Sequence, residues 1–312
     1  MKKLLSIILC LIMCTVVMCS CGGNETSHDG LKIVCTAFPQ YDYVKNILGT
    51  NDGLTLLLDD GADLHSYEPT ATDIIEIASS DLFIYIGGIS DSWVEGALKS
   101  ANSENLKSVA LMDMVETYDV DYVAGMEKEE HHHDGEHEKD EHIWLSLRNS
   151  AEITSALCDI ICEIDSANAQ KYKANAENYI NSLNELDGEY KSVIESAKRN
   201  TLLFADRFPF RYLIEDYSLD YHAAFSGCSS ESEASFQTMK FLIDKTKELS
   251  LPAVIITESS DGSIAEMICK ETGTKALVLD SCQSVSSADI EKGTNYLDIM
   301  RNNLEILREA LN

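Results

Sequence analysis

The sequence predicts an α/β protein of two lobes, each a Rossmann-like parallel sheet flanked by helices, joined by a long rigid α-helix. Three observations carry this expectation. Short apolar runs alternate with helical stretches in two separate series, the pattern of parallel sheets covered by helices. Between the series, Ala151 to Ala197 contains no strand-like run, no Pro and one Gly, Gly188. With 312 residues and 45% hydrophobic content, the chain can bury two cores and is no disordered polyanion.

The first segment is an address. Lys2 and Lys3 precede an apolar run from Leu4 to Met18, too short to span a bilayer and the size of a signal-peptide core. It ends in Met18-Cys19-Ser20-Cys21-Gly22-Gly23, which resembles a bacterial lipobox with small Ser20 before the cleavage point. Residues 1–20 are therefore expected to be a lipoprotein signal peptide. Cys21 is expected to be the lipid-modified first residue, and 21–30 a polar tether.

The N-terminal lobe is expected over 31–150. Its apolar runs are Leu31–Phe38, Leu54–Leu58, Leu82–Ile86 and Ser108–Met112, with helical stretches at Tyr41–Leu48 and Asp91–Ala101. The helical connector, 151–198, places Tyr179, Leu183, Leu186, Tyr190 and Ile194 at spacings of three and four, one face of an amphipathic helix. Such a stiff connector restricts hinge motion. The C-terminal lobe, 199–312, has apolar runs at Leu202–Ala205, Leu219–Phe225, Ala253–Thr257 and Ala276–Leu279. Its helical stretches are Phe208–Tyr217, Phe236–Leu249 and Ser263–Thr272.

Charge narrows the partners. With 53 Asp and Glu against 24 Lys and Arg, the net charge is −29. That excludes nucleic acid, whose phosphates need basic side chains to displace counterions, and favours cations. Cys35, Cys158, Cys162, Cys228, Cys269 and Cys282 follow Cys21, with no CxxC pair among them. They are expected to be structural, some of them disulfide-bonded.

Glu127 to His142 holds five of the eight histidines, eight carboxylates and two lysines, with no apolar residue. It cannot pack and is expected to be a surface loop. Imidazole with carboxylate suits Zn²⁺ best, with Mn²⁺ preferring more oxygen. Ordering such a loop costs entropy at every binding event, so His131, His132, His133 and His137 are expected to form a weak collector.

A tighter site is expected where loops converge beyond the carboxyl ends of the strands. His65 follows the second strand, and His142 closes the acidic loop just before Ile143-Trp144-Leu145. Asp206 follows the first strand of the second lobe, and Asp280 its last. These four are expected to meet on one ion in the cleft between the lobes. Tyr41, Tyr43 and His222 are expected in the core, and Glu258 and Asp261 beside Arg207 or a ligand histidine.

At these segments the chain resembles the cluster A-I solute-binding proteins of bacterial zinc and manganese ABC transporters. Gly61-Ala-Asp-Leu-His65-Ser-Tyr-Glu-Pro-Thr-Ala-Thr-Asp73 is similar to the family's GxDPHxYEPTxxD, and Asp140-Glu-His142-Ile-Trp144-Leu-Ser to its DPHxWLxP. The resemblance implies His65 and His142 as metal ligands, with the His-rich loop marking the zinc-handling branch. Phe204-Ala205-Asp206-Arg207-Phe208 is similar to FHDAF, so Ala205 stands where a ligand is expected and Asp206 is the neighbouring candidate. Gly227-Cys-Ser-Ser-Glu231-Ser-Glu233-Ala-Ser235 resembles the SxExEPS loop. Glu231 and Glu233 are secondary candidates there, against a capping role for the helix near Ser235. Asp280 matches a carboxylate ligand of the manganese branch.

The function implied is capture of Zn²⁺, with Mn²⁺ the alternative, outside the membrane. A monomer, anchored through Cys21, would hand the ion to an ABC permease without catalysis. The alternatives are a lipid-anchored metal-dependent hydrolase, which the absence of HExxH, GxSxG or a P-loop disfavours, and a surface adhesin.

Overall fold

The structure is a computed structural model that describes residues 30–59, 63–101, 103, 105–127, 138–229, 233–283 and 285–312. The expected signal peptide, Cys21, His131, His132, His133, His137 and Glu231 lie outside the described residues. Among the described residues no helix is long and apolar enough to cross a membrane.

The expected two sheets are present, four-stranded and parallel throughout. In the N-terminal lobe the strands are β1 (Ile33–Cys35), β2 (Leu54–Leu56), β3 (Leu82–Tyr85) and β4 (Lys107–Ala110), ordered β2-β1-β3-β4. Helices α1 (Phe38–Leu48), α2 (Ala71–Ser79) and α3 (Val94–Ala101) cover the sheet. Pro39 opens α1, where a missing N–H costs nothing, and Gly49 closes it at φ 71°, the left-handed cap that favours glycine. The core of this lobe joins Val34, Phe83, Ile77 and Val94 from both layers.

The connector differs from a single rod. It is two helices, α4 (Leu147–Ile164) and α5 (Ala169–Glu195), with one 3-10 turn between them. The break falls at Asp165, whose carboxylate accepts from Asn168 Nδ2 and the Tyr172 hydroxyl, both at 2.7 Å. Polar side chains there satisfy the turn and stop the first helix. The 27-residue α5 is the expected long helix. It buries Tyr179, Leu183, Leu186 and Tyr190 on one face, as their spacing requires.

In the C-terminal lobe the strands are β5 (Thr201–Phe208), β6 (Asp220–Ser226), β7 (Ala253–Ile256) and β8 (Lys275–Val278), ordered β6-β5-β7-β8. The helices are α6 (Arg211–Tyr217), α7 (Phe236–Glu248), α8 (Ser263–Thr272), α9 (Ser287–Glu291) and α10 (Tyr296–Ala310). Here the structure corrects a boundary. The first strand of this lobe does not stop at Ala205 but continues to Phe208, so Asp206 and Arg207 lie inside it. The extension carries a bulge: Phe204 pairs Ala223 and Arg207 pairs Phe225, leaving Ala205 and Asp206 opposite Ala224.

Tyrosines tie the connector to its surroundings. The Tyr179 hydroxyl donates to Asp42 in α1 at 2.9 Å, and the Tyr190 hydroxyl to the Met300 carbonyl in α10 at 2.6 Å. Tyr43 meets Tyr296 edge-on, with centroids 5.3 Å apart. Tyr41 and Tyr43 are buried, as expected. Burial pushes the Asp42 carboxyl up to about 6, against the hydrogen bond from Tyr179.

Candidate metal centre

Both sheets change direction at an inner strand. β1 has β2 on one side and β3 on the other, and β5 has β6 and β7, so loops part there and leave a crevice at the carboxyl ends. A cleft of about 370 Å³ is lined by Asp63 and His65 from the first lobe and by Ala205, Asp206, Arg207 and Ser229 from the second.

His65 sits in a one-turn 3-10 helix, Leu64–Ser66, capped by Asp63, whose Oδ1 accepts from the His65 backbone N–H at 2.9 Å. Burial works against ionisation of Asp63, but that N–H and the Arg207 guanidinium outweigh it and hold the carboxyl below its usual range. His142 caps the 3-10 turn Ile143–Leu145. The C-terminal end of the acidic segment is pinned: Asp119 bridges Lys139, the Asp140 N–H donates to the Tyr118 carbonyl at 2.9 Å, and the Tyr212 hydroxyl donates to the Asp140 carbonyl at 2.7 Å.

The two imidazoles lie 5.3 Å apart, centroid to centroid. Each is oriented through its Nδ1. That of His65 lies 2.9 Å from the Ser90 hydroxyl and 3.2 Å from Glu141 Oε1; that of His142 lies 3.0 Å from Asp140 Oδ1. Because Ser90 donates its own proton to Glu141, both acceptors next to His65 demand a proton on Nδ1. The same holds for His142 against Asp140. These assignments follow from the network, and they leave the lone pair on Nε2 of each ring. Both Nε2 atoms are buried and have no hydrogen-bond partner.

Glu141 is fully buried. Burial opposes its ionisation, but the bond to His65, the nearby His142 and the Ser90 hydroxyl prevail and hold its carboxyl at about 2. Its place depends on Gly88: a Cβ there would lie 2.1 Å from Glu141 Oε2 and 2.6 Å from its Cβ.

The third donor is a residue not among those expected. Cys228 Sγ joins His65 and His142 in a group whose ligand atoms all lie within 4.8 Å of one another, the one such His, Cys or carboxylate group among the described residues. The thiol donates to Glu141 Oε1 at 3.6 Å. Burial first, then the charges of Glu141, Asp140 and Glu138, push it well above the usual thiol range. The described cysteines are free: the expected disulfides are absent among them, and Cys158 and Cys162 stand 4.0 Å apart, sulfur to sulfur.

The remaining acids are elsewhere or engaged. Asp206 lines the cleft, but its Oδ2 accepts from the Thr257 N–H at 3.0 Å and the Thr257 hydroxyl at 2.6 Å, tying β5 to the end of β7. Asp280 Oδ1 accepts from the Cys282 N–H at 2.7 Å. Burial and the charge of Glu258 push its carboxyl up to about 6. Neither stands in the group formed with the two histidines. Glu233 is exposed. The adjacent helix α7 is capped by Ser235, whose hydroxyl accepts from the Thr238 N–H, while Glu127 accepts from the Ser235 N–H.

Glu258 and Asp261 do not take the expected place beside Arg207 or a histidine. Glu258 grips Ser281, backbone and hydroxyl, at 2.7 and 2.6 Å, and Asp261 closes a turn onto the Ser263 N–H. Arg207 pairs instead with Asp63 across the cleft, at 3.1 Å. His222 is half-buried on β6, edge-on to Phe241. Burial, with Lys245 nearby, lowers its pKa.

Residues 33–310 match the family described as zinc-uptake complex component A, periplasmic. The zinc-binding protein AdcA of Streptococcus pyogenes serotype M6 is 28% identical over 287 residues, covering 89% of this chain and 55% of its own length. The chain thus spans about half the length of that relative. The high-affinity zinc uptake system protein ZnuA of Bacillus subtilis is 28% identical over 310 residues, covering 96% of this chain and 95% of itself. Among solved structures, the Zn(II)-bound ZnuA-like domain of Streptococcus pneumoniae AdcA shares the fold with a TM-score of 0.74 and 26% identity, over 90% of this chain and 98% of that one.

Proposed function

Because the chain belongs to the zinc-uptake complex component A family, we propose that it is a non-catalytic, extracytoplasmic solute-binding protein that captures Zn²⁺ between its lobes and delivers it to the permease of an ABC transporter. One observation carries the reading: the imidazoles of part-buried His65 and fully buried His142 are each held through Nδ1 by a carboxylate, and their buried Nε2 atoms have no hydrogen-bond partner. An unsatisfied buried acceptor costs about 1–3 kcal/mol. A cation removes that cost at both atoms together. Carboxylates on the far nitrogens strengthen both rings as ligands, the usual support of a histidine zinc site.

Zn²⁺ is the ion this donor set suits, since it accepts nitrogen in a compact tetrahedral shell, whereas Mn²⁺ prefers oxygen. In this reading Cys21 carries a lipid anchor at the outer face of the membrane, and the protein acts as a monomer. The acidic His-rich segment concentrates Zn²⁺ weakly. Asp206, Asp280 and Glu233 remain as oxygen donors that a bound ion would have to draw from their present partners or surroundings, and Glu231 remains a further candidate.

Calorimetric titration of the metal-free protein tests the proposal. One tight Zn²⁺ site is expected, absent from His65→Ala and from His142→Ala, with Mn²⁺ bound more weakly. Deletion of residues 128–137 is expected to remove only additional weak stoichiometry. Tight binding that survived both histidine substitutions would refute the site.

A further inference from the structure

The cleft holds an acceptor pair and, beside it, one soft donor from the opposite lobe. We infer that Cys228 is the third ligand, so that the cargo is held by two imidazoles and one thiolate and the site selects thiophilic divalent cations over Mn²⁺. The inference rests on the metal-capture reading above and specifies the chemistry of that site.

Three independent features of the fold support it. The first is the close approach itself: Sγ of Cys228 and a ring nitrogen of each histidine lie within 4.8 Å of one another. Zn–N and Zn–S bonds of about 2.0–2.3 Å in a tetrahedron put donors roughly 3.3–3.6 Å apart, so about 1 Å of contraction would bring these three to bonding distance and leave the fourth position of the shell for another donor. The second is the turn that delivers the thiol. β6 ends at Ser226, and the Ser229 N–H donates to the Ser226 carbonyl at 3.3 Å, folding the chain back at Gly227 and Cys228. A Cβ at Gly227 would lie 2.8 Å from the Phe208 carbonyl oxygen and 3.0 Å from His142 Cε1. Only a residue without a side chain lets this turn pass so close to the imidazole.

The third feature is the fate of the other donors in the second lobe. Ala205 is 1% exposed, and its methyl packs into the core with Leu203, Ala224 and Val254. It has no lone pair to offer. Asp206 is bound to Thr257, and Arg207 answers Asp63. The bulge that turns Ala205 into the core leaves β5 without a donor in the group, and the neighbouring strand β6 supplies one at its end.

Binding is balanced simply. The S–H bond breaks, a metal–sulfur bond forms, and one proton passes to solvent, with no change of oxidation state. A thiolate donor ranks Zn²⁺, Cd²⁺ and Co²⁺ above Mn²⁺ at this site.

Co²⁺ loading of the full mature chain is the test, because a cobalt–thiolate bond produces a charge-transfer band in the near ultraviolet that imidazole and carboxylate do not. The wild type is expected to show this band, with Cys158→Ser/Cys162→Ser unchanged as a control for the other thiols. Cys228→Ser and Cys228→Ala, verified as folded by circular dichroism, are expected to lose it and to bind Zn²⁺ at least ~10-fold more weakly. Cys228→Asp is expected to narrow the Zn²⁺-over-Mn²⁺ preference. A wild-type protein that binds Co²⁺ tightly without the band, or a band that persists in Cys228→Ala, overturns the inference and leaves metal capture standing. Failure of the wild type to bind Zn²⁺ or Co²⁺ overturns both.

Discussion

The two walls of the cleft are both rich in polar side chains, yet they stand in opposite states. On the wall from the first lobe, Asp140 and Glu141 spend their hydrogen-bonding capacity on orienting His142 and His65, and two ring nitrogens are left over. In the second lobe, Asp206, which lines the cleft, and Glu258 and Asp280, which follow β7 and β8, spend theirs on backbone N–H groups of the same lobe. The first arrangement prepares a ligand; the second fastens strand ends. Residue type alone does not separate the two, since carboxylates do the fastening in both. What separates them is whether the chain of hydrogen bonds terminates in a satisfied atom.

Substitutions can break this contrast, and the largest effect is expected on the first wall. Glu141→Gln keeps the shape but removes the charge opposite His65 Nδ1. Zn²⁺ affinity should fall ~10–100-fold, the usual consequence of losing an orienting carboxylate, as competition with a chromogenic chelator would report. An unchanged affinity would mean that Glu141 serves the fold alone.

Asp206→Ala should do the reverse. It strands the Thr257 N–H, which lies in a buried residue, and should lower the stability of the metal-free protein by about 1–3 kcal/mol, with Zn²⁺ affinity nearly preserved. Chemical denaturation and calorimetry on the same sample separate the two readouts. A loss of affinity matching His65→Ala would move Asp206 into the coordination shell.

The smallest effect is expected where the walls touch. Arg207 and Asp63 are partly exposed to solvent, so Arg207→Gln should cost at most about 1 kcal/mol of stability. It removes a cation from a mouth that also carries Asp63, Asp206 and Asp261. Stopped-flow association with Zn²⁺ should therefore quicken at low ionic strength and return to the wild-type rate at high salt. A rate independent of salt would argue against any steering by this mouth.

Much of this was legible in the residues. Alternating apolar runs located all eight strands of the described residues; the inner ones, such as β1 and β3, are buried nearly throughout and so must be apolar along their length. His65 and His142 stood out as well, each within a segment that resembles a family of metal carriers. The strand containing Asp206 was cut short because Asp206 and Arg207 break the apolar run; both are accommodated at a bulge beside the cleft. The break in the connector was invisible to periodicity, since the helices on both sides of Asp165 are amphipathic and no Pro or Gly stands between them.

Cys228 and Glu141 were hidden for a different reason. Their roles depend on contacts with residues 87 and 51 positions away, and Glu141 lies in a run of acids that composition assigns to solvent. A signal for Cys228 did exist: a cysteine directly after a glycine, in a lobe whose expected ligand position holds alanine.

Trp144 closes the contact between the two walls, donating its Nε1–H to the Ser281 carbonyl at 2.8 Å while its ring lies 5.3 Å from that of His142. The other tryptophan, Trp93, packs against Tyr67 and Phe83. The molecule therefore contains an internal optical gauge. A charge arriving on His142 alters the field across a single buried indole, and the seating of the ion becomes visible in the emission of the unlabelled protein.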